Sequence, residues 1–259
     1  GGCVQVVPHI TNEIKANIRQ NDGPEVDVVL SELGGTAGDI EGAAFLEAFR
    51  QFAYDHGREH TVFVHLTLVP FLRASGELKT KPTQQSVGIL RQIGIQPDML
   101  ICRTEKPITQ EMRDKIAMFC NVEKKHVFEE RDVENTIYEL PLQLSAEGVD
   151  EALIRRLGLS APPAKLEPWQ EVVHTVTNPT ATVDIAVVGK YVELKDAYKS
   201  VYESIDHAGI ANKVAVKVHR INAEELTDEN AGKRLRGMAG ILVPGGFGER
   251  GIEGKISAV

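Results

Sequence analysis

Cysteine is scarce in this chain. Cys3, Cys102 and Cys120 are far apart and form no CxxC pair. They read as buried reduced thiols in a cytosolic setting rather than a disulfide framework. A catalytic cysteine is the sharper alternative, and no local pattern supports it. Long apolar runs are also absent: none reaches membrane-spanning length. The N-terminus lacks the basic start and apolar core of a secretion signal. There is no basic block, and the net charge is −8. That argues against general nucleic-acid binding while leaving room for a local anion site. No repeat of solenoid period occurs. An opening methionine is missing too, since the chain starts Gly1-Gly2-Cys3 and closes at Val259 soon after a strand-turn signal. The expectation is an internal piece of a longer protein.

What remains is ordinary for a soluble globular chain: 259 residues, 42% hydrophobic and 25% charged, enough for one large domain or two modest ones. The most informative stretch runs from Val26 to Glu41. Val28, Val29 and Leu30 read as a buried strand, followed by Ser31-Glu32, a glycine-rich turn Gly34-Gly35-Thr36, and Gly38-Asp39-Ile40-Glu41. A helix is expected from Ala43 to Phe52. In open α/β sheets, ligands collect where strand ends meet helix starts. Carboxylates in such a turn suit hydrated Mg²⁺, which takes one or two of them plus phosphate oxygens. The alternative is that Asp39 caps the helix and Glu32 is merely solvated.

A short β-branched run at Val4–Val7 leads to a helix that Thr11 can cap. His9 either meets a ligand or is satisfied by a backbone partner. Thr61–Val69 is the clearest strand, and its continuous apolar character fits a parallel sheet buried on both faces. In the next segment Lys79 and Lys81 flank Thr80, and Pro82 suits a helix first turn. Two lysines at a helix start favour a phosphate; a solvated basic loop is the alternative. Strands are expected near 98–102 and 126–128. Helices are expected at 107–119, at 137–140 (stopped by Pro141) and at 149–157.

Ser160-Ala161-Pro162-Pro163-Ala164 reads as linker, and an amphipathic helix is expected at 169–176. The expected division is residues 1–160, a linker 161–181, and residues 182–259. The last part has strands at 183–188, 214–221 and 239–243, helices at 196–208 and from 251, and the glycine turn Pro244-Gly245-Gly246-Phe247-Gly248. Two glycines directly after a strand can offer N–H groups to an oxyanion; a plain tight turn is the alternative. No cysteine follows, and no serine there reads as a nucleophile, so a hydrolytic centre is not completed.

Six segments in register carry a family resemblance: Gln5–Asn12, Glu32–Glu41, Lys79–Gln84, Gly94–Asp98, Lys190–Leu194 with Asp196–Ser200, and Val243–Gly248. Together they closely resemble CTP synthase. The resemblance implies an α/β chain with mostly parallel sheets: a P-loop-NTPase-like amidoligase domain lacking its N-terminal part, joined to a truncated class I glutamine amidotransferase domain. Such enzymes use ATP and Mg²⁺ to phosphorylate UTP, and ammonia from glutamine then gives CTP. The resemblance further implies GTP as an allosteric activator, a cytoplasmic homotetramer in the full-length protein, and neither nucleic-acid nor membrane partners.

Carried over by position, Glu32 matches the Mg²⁺-ligating glutamate. Asp39, Ile40 and Glu41 match the segment that meets UTP or CTP. Lys79, Thr80, Lys81, Pro82, Thr83 and Gln84 match the loop that holds the triphosphate from a neighbouring subunit, and Lys115 another nucleotide-contacting lysine. Arg131, Asp132 and Val133 match the ATP-adenine segment, where the family often has Lys in the first place. Gly245 and Gly246 match the glutamine and oxyanion turn. The family's phosphate loop and first Mg²⁺-ligating aspartate would lie before residue 1, and its Cys, His and Glu triad beyond Val259. The chain alone is therefore expected to be inactive. A short UTP- or CTP-binding relative that regulates a full-length synthase is the rival reading, as is another ATP-dependent ligase of the same fold.

Overall fold

The computed structural model describes residues 2–259, apart from the side chain of residue 195. The fold is mixed α/β with parallel sheets. It divides into two units, Gly1–Glu134 with Leu140–Lys165, and Asn135–Glu139 with Leu166–Val259.

The first unit opens with α1 (Thr11–Arg19) and α2 (Ala43–His56), which pack together. Strand β1 (Val64–Leu68) is followed by a small hairpin, β2 (Phe71–Leu72) and β3 (Glu77–Leu78). Then come α3 (Lys81–Ile93), β4 (Met99–Thr104), α4 (Gln110–Cys120), β5 (Val127–Arg131), α5 (Leu140–Ala146) and α6 (Val149–Leu157). The order β1-β4-β5 is parallel throughout, with Leu66 opposite Ile101 and Ile101 opposite Phe128. Parallel neighbours need crossover helices, and α3 and α4 supply them. One sheet face buries Val69, Leu100, Cys102 and Val127 against Val87 of α3 and Ile116 of α4. On the other face Met99 and Phe128 pack against Val149 and Ala152 of α6. The third strip of core joins α2 to α3 through Leu46, Leu90 and Ile95.

The second unit holds α7 (Glu167–Thr177), β6 (Thr182–Gly189), α8 (Lys199–Ala211), β7 (Ala215–Asn222), α9 (Asp228–Arg234), β8 (Gly240–Leu242) and α10 (Ile252–Ala258). Its sheet is parallel, in the order β7-β6-β8. Val188 at the end of β6 packs with Ala223, Leu226, Ala231 and Ala258. Tyr138, from the short segment that joins this unit, stacks on Trp169 at 5.8 Å between ring centroids.

Several expectations need correction. Val28–Leu30 is not a strand: the segment pairs with no strand among the described residues, and Val28 and Leu30 are exposed. An apolar run becomes a buried strand only when a neighbour accepts its backbone bonds. The β-branched run Val4–Val7 leads into an irregular turn over Val6–Ile10, in which Val7 is extended. Pro141 does not stop a helix but sits in the first turn of α5, where its missing N–H costs nothing. Thr11 does not cap α1. It is buried, and its hydroxyl donates to the Pro8 carbonyl at 3.2 Å. Cys102 and Cys120 are buried free thiols, whereas Cys3 is exposed.

Candidate functional site

The acidic turn is built on the flank of α3. Leu33 and Ala37 pack against Leu46, Leu90 and Ile95. A methyl group at Gly38 would come within 3.2 Å of Ile89 on α3. Gly35 and Gly38 have φ of +88° and +104°, which explains glycine at both. Asp39 does not cap α2, whose N-cap is Gly42; its carboxylate accepts the Thr36 N–H at 3.0 Å and closes the turn on itself. Glu32, Asp39, Ile40 and Glu41 are all exposed, Ile40 at 90%. The described residues contain no group of three or more His, Cys, Asp or Glu side chains able to hold a metal. Glu32 therefore offers a cation one carboxylate. That suits Mg²⁺ only with water and phosphate completing its shell.

Lys81 begins α3, eight positions before Ile89, so about 12 Å of helix separates it from the acidic turn. The neighbouring residues divide by role. Thr83 is fully buried; its hydroxyl donates to the Leu68 carbonyl at 3.1 Å and accepts from Thr67 at 3.2 Å. Thr80 is buried and takes a bond from the Gln84 amide at 3.0 Å. These contacts dock the start of α3 on the C-terminal end of β1. Lys79 pairs with Glu77 at 2.5 Å. Lys81 and Pro82 stand exposed, and no ion pair engages Lys81 among the described residues. Lys115 is exposed on α4.

Arg131 ends β5 and Asp132 and Val133 follow it, so the three lie at the same C-terminal sheet end as the loop after β1. Arg131 bonds Glu129 at 3.1 Å, and Asp132 pairs with Arg103 of β4 at 2.7 Å. The Asp132 N–H donates to the Thr104 carbonyl at 3.1 Å. Beneath them, Arg113 grips Glu147 through two bonds of 2.7 and 3.1 Å. Burial alone would raise the Glu147 pKa, but the bonds from Arg113 and from the Glu129 N–H outweigh it, and the carboxyl is held below its ordinary value. His9 accepts the Gln5 N–H on Nδ1 at 3.0 Å, the backbone-partner alternative.

In the second unit the glycine turn follows β8. Gly245 and Gly246 are exposed, and neither has a positive φ. A methyl group at Gly245 would meet nothing within 4 Å. Neither backbone strain nor crowding therefore accounts for glycine at 245. The one hydroxyl after the turn, Ser257, shares its hydrogen between Asp228 of α9 at 2.5 Å and the Glu253 carbonyl of its own helix at 3.0 Å, so it is engaged and not poised as a nucleophile. Burial pushes the Cys102 thiol up to about 12 and the Cys120 thiol up to about 11. Neither is a nucleophile at neutral pH. Sequence reasoning gave no role to Lys190, which proves to be buried against the turn. Its place directly after a strand that ends in glycine was the available signal.

Comparison with known proteins decides the family. The family described as "CTP synthase N-terminus" matches residues 1–159, and "Glutamine amidotransferase class-I" matches residues 193–259. The chain belongs to the CTP synthase family. A CTP synthase of Oleidesulfovibrio alaskensis is 55% identical over 259 residues, covering 100% of this chain and 47% of the relative. One of Caldanaerobacter subterraneus subsp. tengcongensis is also 55% identical, over 260 residues, covering 100% and 48%. One of Bacillus subtilis is 52% identical over 259 residues, again covering 100% and 48%. The chain thus spans about half the length of the curated relatives it matches.

Proposed function

We propose that the chain carries the nucleotide-acceptor part of a glutamine-dependent CTP synthase, in which ATP-dependent phosphorylation of UTP and amination by glutamine-derived ammonia give CTP. The observation that best supports this is the division of labour at the start of α3. Thr80 and Thr83 are buried and fix the helix, while Lys81 is left exposed, with no ion pair among the described residues. A lysine fixed at its root and open at its tip suits a triphosphate. Lys79, Thr80, Lys81, Pro82, Thr83 and Gln84 make up the triphosphate loop, and Lys115 is a further nucleotide contact. Asp39, Ile40 and Glu41 meet the pyrimidine nucleotide, UTP or CTP.

Glu32 supplies one oxygen to Mg²⁺, which when bound neutralises charge on the transferring phosphoryl group. Arg131, Asp132 and Val133 border the ATP adenine, with Asp132 fixed by Arg103. Gly245 and Gly246 receive glutamine. We further propose GTP as an activator and a homotetramer for the full-length protein, and the division into residues 1–160, 161–181 and 182–259.

Calorimetry of CTP and UTP with Mg²⁺ on the purified chain tests this reading. Binding to the parent is expected. Lys81→Ala and Glu41→Ala should each weaken it roughly tenfold or more, the loss of one charge-assisted contact of about 1.5–3 kcal/mol. Absence of binding by the parent would show that this chain holds no nucleotide half-site alone. Conversion of UTP to CTP by the chain with ATP and ammonia would overturn its expected inactivity.

A further inference from the structure

Lys190 follows the last residue of β6 and is 5% exposed. Every polar group it has is engaged within the second unit. Its N–H donates to the Tyr198 hydroxyl at 3.1 Å, and its carbonyl accepts from Arg250 at 3.3 Å. Its ammonium donates to the carbonyls of Phe247 at 3.0 Å and Gly248 at 2.6 Å. Lys255, half-buried on α10, reaches the same turn from the other side and donates to the Pro244 carbonyl at 2.6 Å. Gly246 lies between them: a methyl group there would sit 3.4 Å from the Lys255 ammonium and 3.8 Å from Cδ of Lys190. No carboxylate lies within ion-pair distance of either ammonium among the described residues.

Two lysines thus pin the carbonyls on either side of Gly245-Gly246. A peptide unit is planar and, outside Val7-Pro8, trans here, so its N–H points opposite to its carbonyl. Holding the Pro244 carbonyl on Lys255 turns the Gly245 N–H away from that ammonium. Holding the Phe247 carbonyl on Lys190 does the same for the Gly248 N–H. None of the four amides from Gly245 to Gly248 has a hydrogen-bond partner among the described residues, and all four residues are exposed. Burying an ammonium without a counter-ion is costly. Against that cost the lysines do one visible thing, which is to fix the peptide planes of this turn.

We infer that Lys190 and Lys255 are positioning residues that latch the Pro244–Gly248 turn, so that its free N–H groups stand preformed as donors for an oxygen ligand, with the two ammonium charges beside it. The inference deepens the reading of this turn as the glutamine site and rests on it only for the identity of the ligand. Donors fixed in advance require no reorganisation when charge arrives, which is where such turns gain their effect. A turn free to rotate its peptide planes would present the donors only part of the time.

The test uses the whole chain labelled with ¹⁵N-glycine, as parent and as Lys190→Met, Lys255→Met and Lys255→Arg. Methionine keeps most of the stem and removes the donor; arginine keeps a donor. Amide order parameters at Gly245, Gly246 and Gly248 should fall from about 0.85 to below about 0.6 in both methionine variants. Gly209 and Gly240 should stay unchanged, and Lys255→Arg should retain the parent's order. Unchanged order at the turn in both methionine variants overturns the inference. So does loosening that spreads equally to Gly209 and Gly240, because that is general destabilisation. If Lys190→Met fails to fold, the Lys255 pair decides. Titration with L-glutamine then separates the two ideas. Shifts at Gly245 and Gly246 that weaken at least tenfold in the methionine variants support latch and ligand together. An ordered, lysine-dependent turn that ignores glutamine upholds the latch and removes the glutamine reading.

Discussion

His65 lies on β1 with its ring toward α3, where Nε2 is 2.8 Å from the Ser86 hydroxyl. Burial lowers its pKa below the ordinary 6.5. A histidine held neutral by the fold binds its proton more readily once unfolded. Its contribution to stability is therefore present above the unfolded pKa and is lost as pH falls below it, by up to about 1.4 kcal/mol per pH unit for one proton. Urea unfolding at pH 7, 6 and 5 should show the parent losing stability on that descent, and His65→Gln losing less. His126 is shifted the same way by burial, so the parent's fall will exceed the difference between the two proteins. Equal slopes in parent and variant would mean that the fold does not hold the His65 ring neutral. The side chain's setting was not legible in the sequence: Thr61–Val69 reads as a continuous apolar strand buried on both faces, whereas Val64, Leu66 and Leu68 are exposed and only the face of His65 and Thr67 is covered. The two interior thiols were legible, because an apolar strand and an apolar helix end bury what they contain.

At the scale of elements, long periodic segments were read well. The helices from Ala43, Pro82 and Val149, and the strands around Val64, Met99 and Val183, carry their own hydrophobic pattern and stand where the pattern put them. What failed depends on partners or on very short pieces. The run Val28–Leu30 has a strand's composition and no neighbouring strand among the described residues. The β2-β3 hairpin pairs only Phe71 with Leu78 and Leu72 with Glu77, below what periodicity can register. Helix α9 was missed, although Thr227 and Asn230 form a capping box ahead of it.

The most demanding contact between elements in the second unit is equally invisible in sequence. On α10 a methyl group at Gly254 would lie 1.7 Å from the Ala223 carbonyl oxygen. Gly254→Ala improves helix propensity by about 1 kcal/mol. It also forces α10 off the turn at Ala223–Glu225, and overpacking of this kind costs about 1–3 kcal/mol. The collision is with backbone, which no rotamer change relieves, so the cost should win. Thermal unfolding should show a net loss of up to about 2 kcal/mol; a stabilised variant would mean that α10 does not approach this closely.

For the whole chain, the decisive feature is apolar surface that the fold leaves uncovered. Val64, Leu66 and Leu68 share one face of β1 and are 41%, 61% and 54% exposed. β1 is also an edge strand, so its unpaired backbone groups lie beside that apolar face. In the second unit β8 is an edge as well, with Ile241 and Leu242 exposed and Phe247 98% exposed after it. Open edges beside exposed aliphatic side chains are templates for pairing with another chain. The isolated 259-residue chain should therefore self-associate as its concentration rises. Leu66→Glu places a charge in the middle of the β1 face, at a position whose side chain packs little. It should shift sedimentation-velocity profiles toward the monomer while changing stability by no more than about 0.5 kcal/mol, as for other exposed substitutions. A parent chain that sediments as a single monomer across the concentration series would show that these surfaces do not drive association. Association that survives Leu66→Glu unchanged would move the contact away from β1, and Leu242→Glu would then test the β8 edge.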